Sequence, residues 1–434
     1  MAKATIKASN ADIMNQIRDQ LGTGSTYQAR VPVAYSVDGV NNYRDVYSAI
    51  MNYTPNKNDF IGNLYNMIGQ MFITKTRDWK NPLKKFRRQN LMYGDTVAEV
   101  AVNTFKAHTY QSSVEAGNCG TVFCQEIPEA MEIFHTLNRQ EFYEATINEA
   151  ELRSAMLNEN GLGNFVTATM TQLYNSDEKD EYRKSLEIFR DNYAAYNMVP
   201  VKVTPVTTKE TAQALVSSVR EYHSLFRFIG RNFNTVSLDT FSDPSDIQLF
   251  ITPKLEAFLD VFVEAMAYNL DKSILLGNIE VVDSFGPGME DVQCIMCDRD
   301  ALVIMDRLYE SNAIYDPRHL VYNNYLHHWE VLSFSTFVNC VAFTTEDITL
   351  AVTPATATVA KGGTQQITVK VGTADITQKV KYSLTGQTSA NTTIIGNGTN
   401  AGLVTIGSDE TATTITVGVD FGTSTGTSTI TVSV

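Results

Sequence analysis

Two cysteines in Cys294-Ile295-Met296-Cys297 have the spacing of a metal-binding or redox pair. Zinc sites of this kind need a second pair of ligands, and redox sites place the motif at a helix start. Neither condition is met here. The CxxC stands alone, and its flanks read as strand, where positions i and i+3 point to opposite faces. Two structural thiols are expected. Cys119 and Cys124 bracket part of a polar stretch, and spacing does not join them to this pair. His319, His327 and His328 suit no standard ligand set. Adjacent histidines on a strand diverge, and Trp329 with the nearby tyrosines marks a packed or interface segment. No metal, cofactor or catalytic residue is expected.

Gly396-Asn397-Gly398-Thr399-Asn400-Ala401-Gly402 opens no helix and lacks the lysine of a phosphate-binding loop, so it reads as β-turns. Gly22-Thr23-Gly24-Ser25 fails the same test. No nucleophile elbow of the G-x-S-x-G type and no H-E-x-x-H pair is recognised, which sets aside two common hydrolase classes. Carboxylates are plentiful, but nothing singles out an acid/base pair.

The basic run is more informative. Lys75, Arg77, Lys80, Lys84, Lys85, Arg87 and Arg88 fall within 14 residues, interleaved with Trp79 and Phe86. Alternating cations and aromatics can bind single-stranded nucleic acid. The chain as a whole carries a net charge of −14. The preferred reading is therefore an intersubunit basic strand (Lys80, Lys84, Lys85, Arg87 and Arg88) that meets acidic surface on a neighbour. The same balance, with a pI near 4.9, argues against wrapping nucleic acid by charge neutralisation. It is compatible with a container whose wall lets DNA slide.

The elements that would position these residues come from a chain of 434 residues, enough for two or three domains with a substantial core. Hydrophobic residues at 43% and charged residues at 19% place it among ordinary globular proteins. No run reaches the roughly 18 apolar residues of a membrane span. Five cysteines are too few and too scattered for a disulfide framework. The start, Met1 to Lys7, has no apolar stretch behind its lysines, so no signal peptide is read and use in a cytoplasm is expected.

Up to about residue 345 the pattern is α+β. Ile13, Met14, Ile17 and Leu21 form one apolar stripe, and Phe60, Leu64, Met67, Ile68 and Met71 form another. A helix is expected from about Asn164 to Tyr196, roughly 50 Å long if unbroken at about 1.5 Å per residue. Asn175-Ser176-Asp177 is a possible break, because such residues compete for the backbone. Thr207-Thr208-Lys209-Glu210 has the form of a capping box, with Ala212, Leu215, Val216 and Val219 on the inner face behind it. A further helix covers Leu255 to Met266. Between Tyr93 and Ile147 the pattern is strand, long polar loop, strand, as in an extended hairpin. A last alternating strand, Leu332 to Ala342, closes the domain.

After residue 345 threonine rises to about a quarter of the residues and aromatics almost vanish. Short alternating runs such as Gln366 to Val371 and Thr414 to Val419 are separated by Lys361-Gly362-Gly363, Gly396-Asn397-Gly398 and Asp420-Phe421-Gly422. β-branched alternation between turn signals predicts an all-β sandwich over 346–434.

Several segments together resemble the major head protein of phi 29-type short-tailed phages. They are Asn81-Pro82-Leu83-Lys84-Lys85-Phe86 with Gly94 and Thr96–Val100, Phe134-His135, and Asn138-Arg139-Gln140-Glu141-Phe142-Tyr143. Tyr174-Asn175-Ser176, Asp180-Glu181-Tyr182, Asp191-Asn192-Tyr193, Asp316-Pro317-Arg318, Asn324-Tyr325, His328-Trp329, Leu332-Ser333 and Ala342-Phe343 follow in collinear order. That resemblance implies the Hong Kong 97 phage capsid fold over 1–345. Its parts would be an N-terminal arm, an extended loop at about 93–147, a peripheral domain with a spine helix at about 164–196, and an axial domain at about 200–330. It further implies self-assembly into pentamers and hexamers, helped by a scaffolding protein and a portal, around non-specifically held double-stranded DNA. The lysine–asparagine crosslink of some relatives of that fold is not expected, because its residues have no assignable position.

The C-terminal part resembles a bacterial Ig-like group 2 module through Val352-Thr353-Pro354, Val359 to Gln366, Gln378-Lys379-Val380 and Gly402-Leu403-Val404-Thr405, with Tyr382 where a tryptophan is common. Such a module would brace neighbouring capsomers, the preferred reading, or hold head fibres or the host surface. Two other classes compete with a shell protein. A secreted adhesin would need export, and an enzyme with an accessory module would need a catalytic constellation. The expected place of action is the virion capsid, assembled in the host cytoplasm.

Overall fold

The structure is a computed structural model that describes residues 9–22, 24–37, 40–60, 63–64, 79–88, 90–91, 94–105, 130–148, 161–263, 278–319 and 321–433. Along the chain come helices α1 (Asn10–Gln20) and α2 (Thr26–Arg30), the short strands β1 (Ser36–Val37) and β2 (Val40–Asn41), and α3 (Tyr43–Met51). Then follow β3 (Thr96–Val102), β4 (Ala130–Thr136), β5 (Arg139–Asn148), α4 (Gly161–Ala194), β6 (Val199–Lys202), α5 (Lys209–Leu225), β7 (Ile247–Ile251) and α6 (Pro253–Val263). The next strands are β8 (Ile279–Val281), β9 (Val292–Asp298), β10 (Leu302–Asp316), β11 (Val321–Phe334) and β12 (Cys340–Thr344). Among the described residues that follow, the regular elements are all strands.

Contacts group the chain into two compact units. The first comprises Met1–Asn81, Arg139–Tyr182 and Asp306–Glu330. In it α1 starts at a capping box, where Ser9 Oγ accepts from the Asp12 amide and the Asp12 carboxylate accepts from the Ser9 amide. Ile13, Met14 and Ile17 are buried with Tyr43, Val46, Ile50, Phe60 and Leu64 against Met170 and Leu173 of α4 and Ile147, Tyr322 and Leu326 of a sheet ordered β10-β11-β5. Met67, Ile68 and Met71 of the second stripe lie outside the described residues, as do Lys75, Arg77, Cys119 and Cys124.

The second unit comprises Pro82–Asn138, Arg183–Met305 and Val331–Val434. Strands β3 and β4 pair antiparallel from Thr96↔Thr136 to Val102↔Ala130. A five-stranded sheet is ordered β6-β12-β9-β7-β8. Ala212, Leu215 and Val219 of α5 pack on one of its faces with Cys294 and Met296. On the other, Phe250 meets Phe86 and Phe189 at ring centroid distances of 5.5 and 4.9 Å. Cys294 and Cys297 thus sit on one buried strand with opposite parity, and Cys297 faces Cys340 across the β9–β12 pairing.

Two sequence expectations need correction, and of the two courses open for the long helix the structure takes the continuous one. Helix α4 runs unbroken through Asn175-Ser176-Asp177. Ser176 Oγ bonds back to the Gln172 carbonyl, and Asp177 is taken up by tertiary partners instead of capping. The box before α5 is shifted by one residue, since Thr208 is the cap and Thr211 closes it. The final strand is two strands, because Ser335–Asn339 leave the ladder between β11 and β12.

The C-terminal strands are β13 (Ala351–Thr353), β14 (Thr356–Ala360), β15 (Thr364–Gln366), β16 (Thr368–Val371), β17 (Ala374–Asp375), β18 (Lys381–Thr385), β19 (Thr393–Ile394), β20 (Leu403–Thr405), β21 (Thr414–Phe421) and β22 (Ser424–Ser433). They form sheets ordered β14-β22-β21-β18, β13-β16-β17 and β15-β20-β19. Ile367, Val369, Val380, Val404, Ile415, Val417, Val419 and Ile430 fill the space among them. In place of a tryptophan, Tyr382 sends its hydroxyl to the Thr377 carbonyl at 2.8 Å.

Candidate functional site: a basic turn and a buried ion network

The basic segment is a 3-10 turn, Pro82–Phe86, not a strand. Leu83 and Phe86 are its buried anchors, and the lysines fall between and beside them. Lys85 pairs with Glu280. The Arg88 amide donates to the Ile304 carbonyl at 2.8 Å, and its guanidinium reaches the Asp300 carbonyl at 2.6 Å and its carboxylate at 3.4 Å. Arg87 forms a parallel bridge with Ile304. Lys80 is exposed and Lys84 half-buried. The turn is fixed by apolar anchors and backbone bonds, and at least two of its cations are already engaged within their own chain.

A second cluster lies wholly in the first unit. Strand β11 alternates from Val321 to Glu330, so Tyr322, Asn324, Leu326, His328 and Glu330 face inward while His327 and Trp329 do not. The adjacent histidines therefore diverge as the strand period requires. Across the ladder Glu330 faces Arg139 and His328 faces Glu141.

The buried Arg139 guanidinium donates to Glu141 Oε2 at 2.8 Å, to Tyr143 OH at 2.8 Å and to Asp177 Oδ1 at 2.9 Å, and it also pairs with Glu330. His328 is fully buried, with Nδ1 2.7 Å from Asp177 Oδ1 and Nε2 3.2 Å from Asp306 Oδ1. The Tyr309 ring meets its imidazole edge-on.

Burial opposes a charge on His328, but the Asp177 and Asp306 carboxylates and the charge on Glu330 outweigh it and raise its pKa to about 9. For Asp177 burial is likewise outweighed, by His328 and Arg139, and its carboxyl is held below the ordinary value. Glu330 moves the other way, pushed up by burial and by the charge of Glu181.

Ligand atoms of Asp177, Glu181 and His328 lie within 4.8 Å of one another, as do those of Asp306, His328 and Glu330. These are metal-like groupings. Here an imidazolium and a guanidinium stand among the carboxylates as counter-charges, in a network that fastens α4 to β5, β10 and β11. Of its members the sequence reading weighed only His328 as a candidate ligand. The legible signal was charge at alternate positions of an apolar strand, Leu326-x-His328-x-Glu330.

A third grouping has the members of a hydrolase triad. His135 Nδ1 is 2.8 Å from Ser333 Oγ and Nε2 is 3.0 Å from Glu99 Oε2. The hydroxyl meets the nitrogen that the acid meets in a working triad, and the imidazole is buried. The arrangement ties β4 to β11. The G-x-S-x-G spacing does occur, in Gly422-Thr423-Ser424-Thr425-Gly426, but it forms a hairpin in which Phe421 pairs with Ser424. A nucleophile elbow turns from strand to helix.

Over about two thirds of the chain the fold is that of HK97-like phage capsid subunits. The capsid structure of Staphylococcus phage Andhra superposes with a TM-score of 0.50 at 11% identity, covering 62% of this chain and 85% of that one. Residues 14–344 match the Phi29-like phage major capsid protein family. The chain belongs to that family and is a major capsid protein, a structural component of the virion shell. It is 32% identical over 422 residues to the major capsid protein of Bacillus phage PZA, covering 95% of this chain and 90% of that one. To the major capsid protein of Bacillus phage B103 it is 33% identical over 426 residues, with the same coverage.

Proposed function

We propose that copies of the chain assemble as pentamers and hexamers into a phage head that encloses double-stranded DNA without reading its sequence. The observation that carries this is the family match across residues 14–344. In this reading residues 1–345 are the capsid-fold domain, with an extended loop at about 93–147, a spine helix at about 164–196 and an axial domain at about 200–330. The β3–β4 pair, the unbroken α4 and the five-stranded sheet support it. Residues 346–434 are an Ig-like group 2 sandwich, supported by their all-strand content and β-branched core.

Assembly takes place in the host cytoplasm with a scaffolding protein and a portal. The basic turn, Lys80, Lys84, Lys85, Arg87 and Arg88, lies against acidic surface of a neighbouring copy. The C-terminal module braces adjacent capsomers in preference to holding head fibres or the host surface. The chain performs no catalysis, in keeping with the use of His135, Ser333 and Glu99 as a tether. Purified chain mixed with its scaffolding partner should give closed shells by electron microscopy. Monomers or shapeless aggregates alone would refute the reading.

A further inference from the structure

Strand β6 is an edge of the five-stranded sheet, paired with β12 along one side only. An edge strand presents unpaired amides and carbonyls and is a template for a strand of another chain. Among the outward groups of β6 are the Pro200 carbonyl and the Lys202 amide, and both are taken by one residue of the C-terminal module. Thr423 donates its amide to Pro200 O at 3.2 Å, and its hydroxyl accepts from the Lys202 amide at 2.8 Å. The composition of β6 is that of a managed edge, since proline offers no donor and lysine resists stacking.

The approach is close enough to dictate a glycine. A Cβ on Gly422 would lie 1.7 Å from Pro200 O, and its φ of +62° is one that glycine adopts without strain. Contacts on either side hold the turn in place. The Phe421 ring meets Tyr196 edge-on at 6.2 Å, and Lys379 donates to the Ala195 carbonyl at the end of α4. Lys381 donates to Asn234 O at 3.1 Å and Ser237 Oγ at 3.0 Å, and Lys202 pairs with Asp347 at 2.6 Å.

We propose that the turn joining β21 to β22 is a guard for the β6 edge, a plug in cis that denies the edge to a strand from a second copy of the chain. The module then has a task within its own subunit, separate from any bracing between capsomers. Copies of the protein are kept from associating through an open sheet edge while they meet through other surfaces. The inference rests on the contacts of residues 421–423 and not on the shell reading.

The test uses the full chain below the concentration at which shells form. In Gly422→Val, hydrogen exchange at the Lys202 amide should rise about tenfold or more. Sedimentation should then show concentration-dependent oligomers that bind an amyloid dye. Adding Lys202→Pro to that variant removes the exposed donor and should return it to monomer. The guard is refuted if Gly422→Val exchanges as the parent does, if it stays monomeric with the edge open, or if Lys202→Pro fails to reverse the association. Should Gly422→Val not fold by circular dichroism, Thr423→Ala decides: faster Lys202 exchange with self-association supports the guard, and parent-like exchange or a monomer refutes it.

Discussion

His328 donates through Nδ1 to Asp177 across 2.7 Å, and that bond joins strand β11 to the middle of helix α4 within one buried network. The His328 pKa is raised from 6.5 to about 9. Its folded value lies above the unfolded one, so its stabilisation is fully present below about pH 6.5 and is lost as pH rises through 9. The amount at stake is about 3 kcal/mol. Thermal unfolding of the unassembled subunit should show a Tm that falls between pH 6.5 and 9.5. In His328→Asn that fall should be much shallower, and an equal fall in both proteins would remove the histidine from the account.

Arg139 serves Glu141, Tyr143, Asp177 and Glu330 at once. Arg139→Met would leave buried carboxylates without their cation, at a cost of about 3–5 kcal/mol. Arg139→Lys should recover little, because one ammonium cannot reproduce a planar fork. Urea unfolding of the three proteins checks both statements.

In the basic turn, the apolar anchors and the cations should separate cleanly. Phe86→Ala removes a buried ring packed on Phe250 and should cost about 3–5 kcal/mol. Lys85→Ala, losing a partly exposed pair with Glu280, should cost less than about 1 kcal/mol. If the cations face a neighbour, changing the exposed Lys80 in Lys80→Glu should slow shell formation, measured by light scattering, while leaving subunit unfolding unchanged.

The three buried thiols should be inert. Burial pushes the Cys294 thiol up, and for Cys297 the hydrogen bond with the Cys340 thiol and burial act together. Iodoacetamide at pH 8, mapped by mass spectrometry, should leave Cys294, Cys297 and Cys340 unmodified until denaturant is added.

Much of the fold could be read because it rests on local periodicity. The stripe Ile13, Met14 and Ile17, the ladder strand Thr96–Val102 and the β-branched runs after residue 345 each carry their own signal. The ion network could not be read that way. Arg139, Asp177 and Glu330 are ordinary surface residue types whose burial depends on strand register and on a helix far away in sequence. Asp177 even pointed the wrong way, since an Asn-Ser-Asp run favours a helix end wherever no tertiary partner claims the carboxylate. The edge contact was hidden for a similar reason. Gly422 looks like any turn glycine until Pro200 is beside it.

The fit of Gly422 against Pro200 bears on anyone who would use this head to display foreign cargo. Exchanging the C-terminal module wholesale for another protein would discard residues 421–423 along with the rest. Grafting a peptide into an exposed turn of the retained module, such as Gly398–Asn400, would leave them in place. Of two particles carrying the same cargo, the grafted one should be recovered from the soluble fraction in higher yield.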